Sequence, residues 1–207
     1  MINRSQLYFE QLLHVVPLLS FDLMDHIVAT LHQAYERRRT IFLFGNGGSA
    51  SLASHMACDL GKGTSSHRRA KRVRVVALTD NLPTITAYAN DCGYEHIFSE
   101  QLKNLAQSGD IAFAISGSGN SPNVIEALQV ARSLKMTTIG IGGFAGGKMK
   151  DLCDIPLIVP SGNMQFIEDL HLCIAHCLFT VLLTRIAAPV PIVATVVATS
   201  ERSSSIA

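Results

Sequence analysis

The stretch TIFLFGNGGSASLASHMACDLGK, residues 40–62, decides the fold. Thr40 to Phe44 is an apolar run rich in β-branched and aromatic side chains, the composition of a buried strand. It ends at Gly45-Asn46-Gly47-Gly48-Ser49, and a helical pattern follows at once. A strand, a glycine-rich turn and a helix start in succession present backbone N–H groups and a helix dipole to an anion. The plan recurs at Asp110 to Ile115, a second buried strand, which runs into Ser116-Gly117-Ser118-Gly119-Asn120-Ser121. A helix then begins near Pro122; proline suits the first helical turn and Ser121 suits the N-cap. Two such loops in one small domain point to a phosphorylated ligand held by backbone amides and serine hydroxyls.

The first loop is not a dinucleotide fingerprint. Gly45 and Gly47 fit its spacing, but the third glycine position holds Ala50. The next strand ends Leu78-Thr79-Asp80, which puts its acidic residue too far along to read a ribose. No G-x-x-x-x-G-K-[ST] run is present, so a nucleoside-triphosphate loop is not indicated.

Working outward, residues 4–37 read as two helices, with Leu7, Leu12, Ile27, Val28 and Leu31 at helical spacing. After the helix at 49–61 come a strand at 73–78, a short helix at 84–89 and a longer one at 94–106. Strand 110–115, helix 122–134, strand 136–142, a loop at 143–149, strand 155–159 and a last helix at 164–186 follow. Five strands alternating with helices mean a three-layer α/β domain, a doubly wound parallel five-stranded sheet with crossover helices on both faces, behind N-terminal helices. Residues 1–186 form this single domain, which includes the helical pair at 4–37. Residues 187–207, apolar with Pro189 and Pro191 and then serine-rich, read as a tail, either an arm or a disordered end. Ligands of such sheets sit outside the carboxyl ends of the strands, where both serine-glycine loops lie.

The chain has 207 residues, enough for one well-buried domain. Apolar residues make up 48% and charged ones 16%, which suits a sheet covered on both faces and an oligomer hiding further apolar surface. A net charge of +1 argues against nucleic-acid binding through a broad basic face. The basic run from His67 to Arg74 fits a solvated loop better than an anion-facing one. Five cysteines without a CxxC pair favour a reducing, cytoplasmic setting, with Cys58, Cys173 and Cys177 on apolar helical patterns as small hydrophobes. Arg4, Glu10 and Asp22 interrupt any leader pattern, and His171 and His176 break the apolar stretch 170–183. A core helix is therefore expected there, not a membrane span.

On these residues the chain resembles the sugar isomerase (SIS) domain family, and within it the phosphoheptose isomerases. The matching pieces are Gly45-Asn46-Gly47-Gly48-Ser49, His55, Asn90-Asp91 with Gly93, and Ile97-Phe98-Ser99. Ser116-x-Ser118-Gly119-Asn120-Ser121, Gly146-Gly147-Lys148-Met149 and Glu168-x-x-His171-x-x-x-x-His176 complete the set. The resemblance covers about residues 7–186 and implies a flavodoxin-like strand order within the sheet. It implies isomerisation of sedoheptulose 7-phosphate to a heptose 7-phosphate for surface-glycan precursors, in a homotetramer with sites at subunit boundaries. It implies that Ser49, Ser116, Ser118 and Ser121, with the backbone amides of the second loop, hold the phosphate, and that Gly47, Gly48, Gly117 and Glu168 bind the substrate. Asn46, Asn90 and Asp91 would face the sugar or order the site. His55, Asp59, Glu168 and His176 would surround a zinc ion, with Asp59 and His176 as the proton-transfer pair. Asp59 stands where the family has glutamate, Glu168 where it has glutamine, and Gly117 where threonine is usual. The other reading that the resemblance leaves open is a non-catalytic sugar-phosphate-binding regulator or a replication-initiator-associating protein.

Ketose–aldose interconversion needs a base for a carbon-bound proton and an acid for the carbonyl oxygen, and a carboxylate with a histidine supplies both. His55 and Asp59, four apart, share one helix face. His176 lies in an apolar helix, where a packed side chain is the plainer reading. Glu168 and His176 are eight apart, about 12 Å of helical rise, which one metal ion cannot easily span. His171 is a rival partner for Glu168.

Overall fold

The structure, a computed structural model, describes residues 3–64 and 71–187. The first half of the basic run, residues 67–70, and the tail beyond residue 187 lie outside the described residues. Two N-terminal helices, α1 (Arg4–Val15) and α2 (Phe21–Glu36), precede the sheet, each capped by the side chain before it, Asn3 and Ser20. The strands are β1 (Thr40–Gly45), β2 (Arg74–Ala77), β3 (Ile111–Ser116), β4 (Thr137–Gly143) and β5 (Ile155–Val159). They are parallel throughout and ordered β2-β1-β3-β4-β5, so the topological switch falls between β1 and β3. That is the expected flavodoxin-like order, and it brings the two serine-glycine loops side by side.

The apolar run of β1 is divided by its pleat. Ile41 and Leu43 face a core shared with α2, α3 (Gly48–Cys58) and α8 (Met164–Ala187), while Phe42 and Phe44 face the opposite layer. That layer is formed largely by α5 (Ser99–Leu105), α6 (Pro122–Ser133) and α7 (Met149–Leu152), through Leu102, Val124, Leu128 and Met149. Strands buried on both faces have no polar alternation to show, hence the continuous hydrophobic runs. Burying each large apolar side chain contributes roughly 1.5–3 kcal/mol.

Several local expectations are corrected. The segment 94–106 is not one helix: a 3₁₀ turn, Tyr94–His96, is separated from α5 by residues 97–98, where Ile97 and Phe98 turn wholly into the core. The short helix α4 runs Leu82–Asp91, so Asn90 and Asp91 are its last turn, not a stop beyond it. The loop after β4 closes in the short helix α7. The exposed cysteines are Cys58, Cys92, Cys173 and Cys177, and the buried one is Cys153. Burial, with Asp154 beside it, pushes the Cys153 thiol up to about 12. Cys58, Cys173 and Cys177 occupy the sides of α3 and α8 turned away from the sheet.

Helix α8 is long and apolar enough by composition to cross a membrane, but Phe166, Ile167, Leu170, Ile174, Leu178 and Leu182 are buried in the domain core. It packs along α2 and against α3, β4 and β5. Its start is capped by Asn163, whose side chain accepts from the Gln165 N–H over 2.9 Å. Tyr8 ties α1 to it, donating to Asp169 Oδ2 over 2.6 Å and meeting the Phe166 ring edge-on.

Candidate functional site

Helix α3 starts directly from the glycine turn, with Gly47 at its N-cap, and carries His55 on its last turn. At Asp59 the helix widens into a π-helix, Asp59–Gly63. Such widened turns recur at functional sites because they re-aim side chains without ending the helix. From α8, His176 comes down beside this junction. His55 Nε2 and His176 Nε2 are 2.9 Å apart, and Asp59 Oδ2 lies 3.2 Å from the first and 4.0 Å from the second. Ligand atoms of the three all fall within 4.8 Å of one another. Two imidazole nitrogens and a carboxylate oxygen converging on one point fit a zinc ion, which takes nitrogen and oxygen ligands at about 2.0–2.2 Å. The side chains are 48%, 30% and 50% exposed, so the trio opens on the surface of the single chain.

Glu168 stands apart from this trio. Its carboxylate oxygens lie 3.7 Å from where a Cβ on Gly48 would be, over the first turn of α3. It lines a cleft with Ser49, His55, Asp169 and His171. The two turns of α8 between Glu168 and His176 keep them apart, as their spacing demands. A carboxylate at a helix N-terminus is favourable. A carboxylate over the first loop also competes with a bound anion there. Among the described residues, no hydrogen bond of the second loop goes to a carboxylate.

The second loop is a braced cradle. Ser116 Oγ accepts from the Gly119 N–H at 3.2 Å and lies 3.4 Å from Ser121 Oγ. Ser118 Oγ accepts from the Asn120 N–H at 3.2 Å. Ser121 stands at the N-cap of α6, but its side chain makes no capping bond, unlike the plainest N-cap expectation. Pro122 has no N–H, and the Val124 and Ile125 N–H groups both donate to the Ser121 carbonyl at 3.0 Å, so what this corner offers a ligand is chiefly its serine hydroxyls. The Gly146-Gly147-Lys148-Met149 segment holds the cradle from outside: Lys148 N–H donates to Asn120 Oδ1 (3.0 Å) and Met149 N–H to the Gly119 carbonyl (2.9 Å). A Cβ on Gly119 would fall 2.0 Å from the Gly146 carbonyl oxygen, so this approach requires glycine. Gly117 lies under α8, where a Cβ would stand 2.6 Å from Met164 Sδ. Glycine at that position thus goes with Met164 at the start of the last helix.

Asn46, at the first turn, pairs with Asn123 and receives the Tyr94 hydroxyl. Asn90 donates to Asp91 Oδ1 over 2.8 Å, and both end α4 just before the turn that delivers Tyr94. Asn123 and Tyr94 are residues that sequence reasoning missed. The helical register of Asn123 inside the buried start of α6 was the available signal. His171 is not Glu168's partner: it is 1% exposed, and its Nε2 meets the Gly142 carbonyl at 3.1 Å. Burial holds its pKa below the usual histidine value, against the smaller opposing effect of that hydrogen bond. It is a neutral, packed histidine that donates to β4.

The SIS domain family matches residues 8–143 of this chain. The phosphoheptose isomerase of Helicobacter hepaticus is 42% identical over 149 residues, 72% of this chain and 74% of that protein. The structure of the phosphoheptose isomerase of Neisseria gonorrhoeae superposes with a TM-score of 0.81 at 29% identity, over 87% of this chain and 97% of that one. That of the Francisella tularensis enzyme gives 0.82 at 28% identity, over the same shares.

Proposed function

This chain belongs to the SIS domain family, among its phosphoheptose isomerases, and from that premise we propose how its own residues work. The reaction is aldose–ketose isomerisation of sedoheptulose 7-phosphate to D-glycero-D-manno-heptose 7-phosphate, a precursor step for surface-glycan heptose. The observation that carries the site assignment is the convergence of His55, Asp59 and His176 beside a glycine-rich loop at the carboxyl end of β1.

The phosphate binds in the second loop, to the hydroxyls of Ser116, Ser118 and Ser121 and the start of α6. Ser49, the first-loop amides, Asn46, Asn90, Asp91 and Glu168 face the sugar. Asp59 turns Oδ2 toward the imidazoles, which leaves Oδ1 to take the proton from C1 and return it to C2. No atom is gained or lost: the C–H bond at C1 breaks, one forms at C2, and a hydroxyl proton passes between O1 and O2. His176 moves that hydroxyl proton, in the acid–base role suited to imidazole near neutral pH. His55, Asp59 and His176 would hold a zinc ion, which when bound supplies a Lewis acid for the carbonyl oxygen. The shorter reach of Asp59 is met by its position where the helix begins to widen.

The half-exposed trio is completed by neighbouring subunits in a homotetramer. The exposed Phe9, Leu13, Leu18 and Phe21 on and between the N-terminal helices support that assembly, and a stable monomer in light scattering would refute it. The free cysteines fit a cytoplasmic enzyme. The isomerase is tested by incubating sedoheptulose 7-phosphate with the protein in deuterium oxide. Aldose formation, followed by NMR, is expected, with deuterium at C2 to the extent that the proton held by Asp59 exchanges with solvent; no aldose and no incorporation, with or without zinc, would overturn the reading.

A further inference from the structure

The floor of the crevice between β1 and β3 holds a polar arrangement that the chemistry above does not use. Asn46 Nδ2 donates to Asn123 Oδ1 over 2.8 Å, and Asn123 Nδ2 donates back to Asn46 Oδ1 over 2.8 Å. The two amides thus close a ring that joins the first loop to the second turn-and-helix, 77 positions away in the chain. Asn123 is 1% exposed. A buried amide costs stability unless it is paired, and here both of its polar atoms are paired with one residue. Into the same ring comes a third segment. The Tyr94 hydroxyl lies 3.1 Å from Asn46 Oδ1, while the ring itself remains largely at the surface, 57% exposed.

A side-chain amide has two acceptor lone pairs and two N–H donors. Asn46 spends both lone pairs, on Asn123 and Tyr94, and one N–H, on Asn123. A single N–H remains. We infer that Asn123 and Tyr94 are positioning residues that make Asn46 a fixed, donor-only contact for a sugar oxygen, so that the site accepts a carbonyl or hydroxyl oxygen there and no ligand donor. Neither residue needs to touch the ligand. Their effect is to hold the first loop in register with the phosphate cradle of the second and to hold Asn46 in one orientation. Preorganisation of this kind acts on binding and orientation without changing the chemistry itself. An exposed tyrosine serves as the third member because it sits on the separate segment that follows Asn90 and Asp91, and thereby couples that rim to the floor. This inference rests on the proposed sugar-phosphate site.

Two variants test it. Tyr94→Phe removes one hydroxyl from a largely exposed ring, so thermal stability should be unchanged while KM for sedoheptulose 7-phosphate rises roughly 2- to 10-fold, the range of one neutral hydrogen bond. Asn123→Asp is the same size, but its carboxylate faces Asn46 Oδ1 with no proton to donate. Once protonated, it closes the ring again. Burial raises the pKa of such a carboxyl, so kcat/KM relative to wild type should be low at pH 8 and recover toward pH 5.5. A merely structural asparagine would give a ratio that does not vary with pH. Unchanged KM in Tyr94→Phe overturns the role of Tyr94, and a flat ratio in folded Asn123→Asp overturns that of Asn123. If Asn123→Asp fails to fold, Tyr94→Phe and its double-mutant cycle with Asn46→Ala decide the matter: additive effects overturn the coupling. A wild-type protein that neither turns over nor binds sedoheptulose 7-phosphate overturns the isomerase reading instead, a distinct result.

Discussion

His55 and His176 meet Nε2 to Nε2 at 2.9 Å, although 121 positions separate them in the chain. One comes from the last turn of the helix after the first loop, the other from the middle of the final helix. Asp59 Oδ2 stands within 4.0 Å of both. The three ligands, two imidazole nitrogens and a carboxylate oxygen, suit zinc.

Zinc should therefore bind and stabilise the protein. At a free concentration one hundred times the dissociation constant, one ion stabilises by about 2.7 kcal/mol. Calorimetry should show one site per chain and a raised melting temperature. Both should disappear in His55→Ala and in His176→Ala, whereas Glu168→Gln should keep them, since Glu168 lies outside the trio. Unaltered zinc binding after removal of either histidine would exclude this metal centre.

Asp59→Asn retains size and hydrogen bonding but removes the base. General acid–base catalysis contributes about 10²–10⁴-fold, and the loss in kcat should fall in that range. Asp59→Glu, which keeps the carboxylate, should stay within about 10-fold of wild type. His176→Ala should lose as much as Asp59→Asn, and the double variant little more, because the two act as a unit. Steady-state rates settle this; a fully active Asp59→Asn protein would move the base elsewhere.

Ser121→Ala should weaken sugar-phosphate binding and spare the fold. The hydroxyl makes no cap for α6, so its loss removes nothing the helix depends on. A hydrogen bond to a charged phosphate is worth about 1.5–3 kcal/mol, or roughly 10- to 100-fold in affinity. Titration calorimetry with the melting temperature as control separates the two effects. An unchanged affinity would place the phosphate elsewhere.

His171 supplies a pH dependence of stability. Its folded-state pKa is lowered by burial, so the unfolded chain binds the extra proton more readily. The stabilisation is therefore complete above the ordinary histidine value near 6.5 and is lost as pH falls through the lower folded value. Denaturant midpoints for the wild type should decline between pH 7.5 and 5 more steeply than those for His171→Gln. Glutamine can still donate to the Gly142 carbonyl and does not titrate. Parallel declines would show that the acid sensitivity resides in other groups.

The order of elements, the parallel sheet and both serine-glycine loops were legible in the chain because local chemistry dictates them. Apolar runs of β-branched and aromatic residues make buried strands, glycine and serine end them, and Pro122 opens a helix. That the strands are parallel followed from the alternation, while their order was implied by the family resemblance. Even the separation of Glu168 from His176 was readable, since it is only helical rise.

The tertiary structure alone decided what depends on how distant segments face each other. Helix α8 is apolar nearly all round, so its sequence cannot say which side meets the sheet; docking buries His171 against Gly142 and leaves His176, Cys173 and Cys177 outside. The same docking brings His176 to His55. The break at residues 97–98 arises because core burial of Ile97 and Phe98 outweighs helical continuity, a contest that local propensity does not register. The Asn46–Asn123 ring exists only because β1 and β3 are neighbours at the switch point. Local patterns are written in adjacent residues; the site is set by packing between segments that no short window of sequence contains.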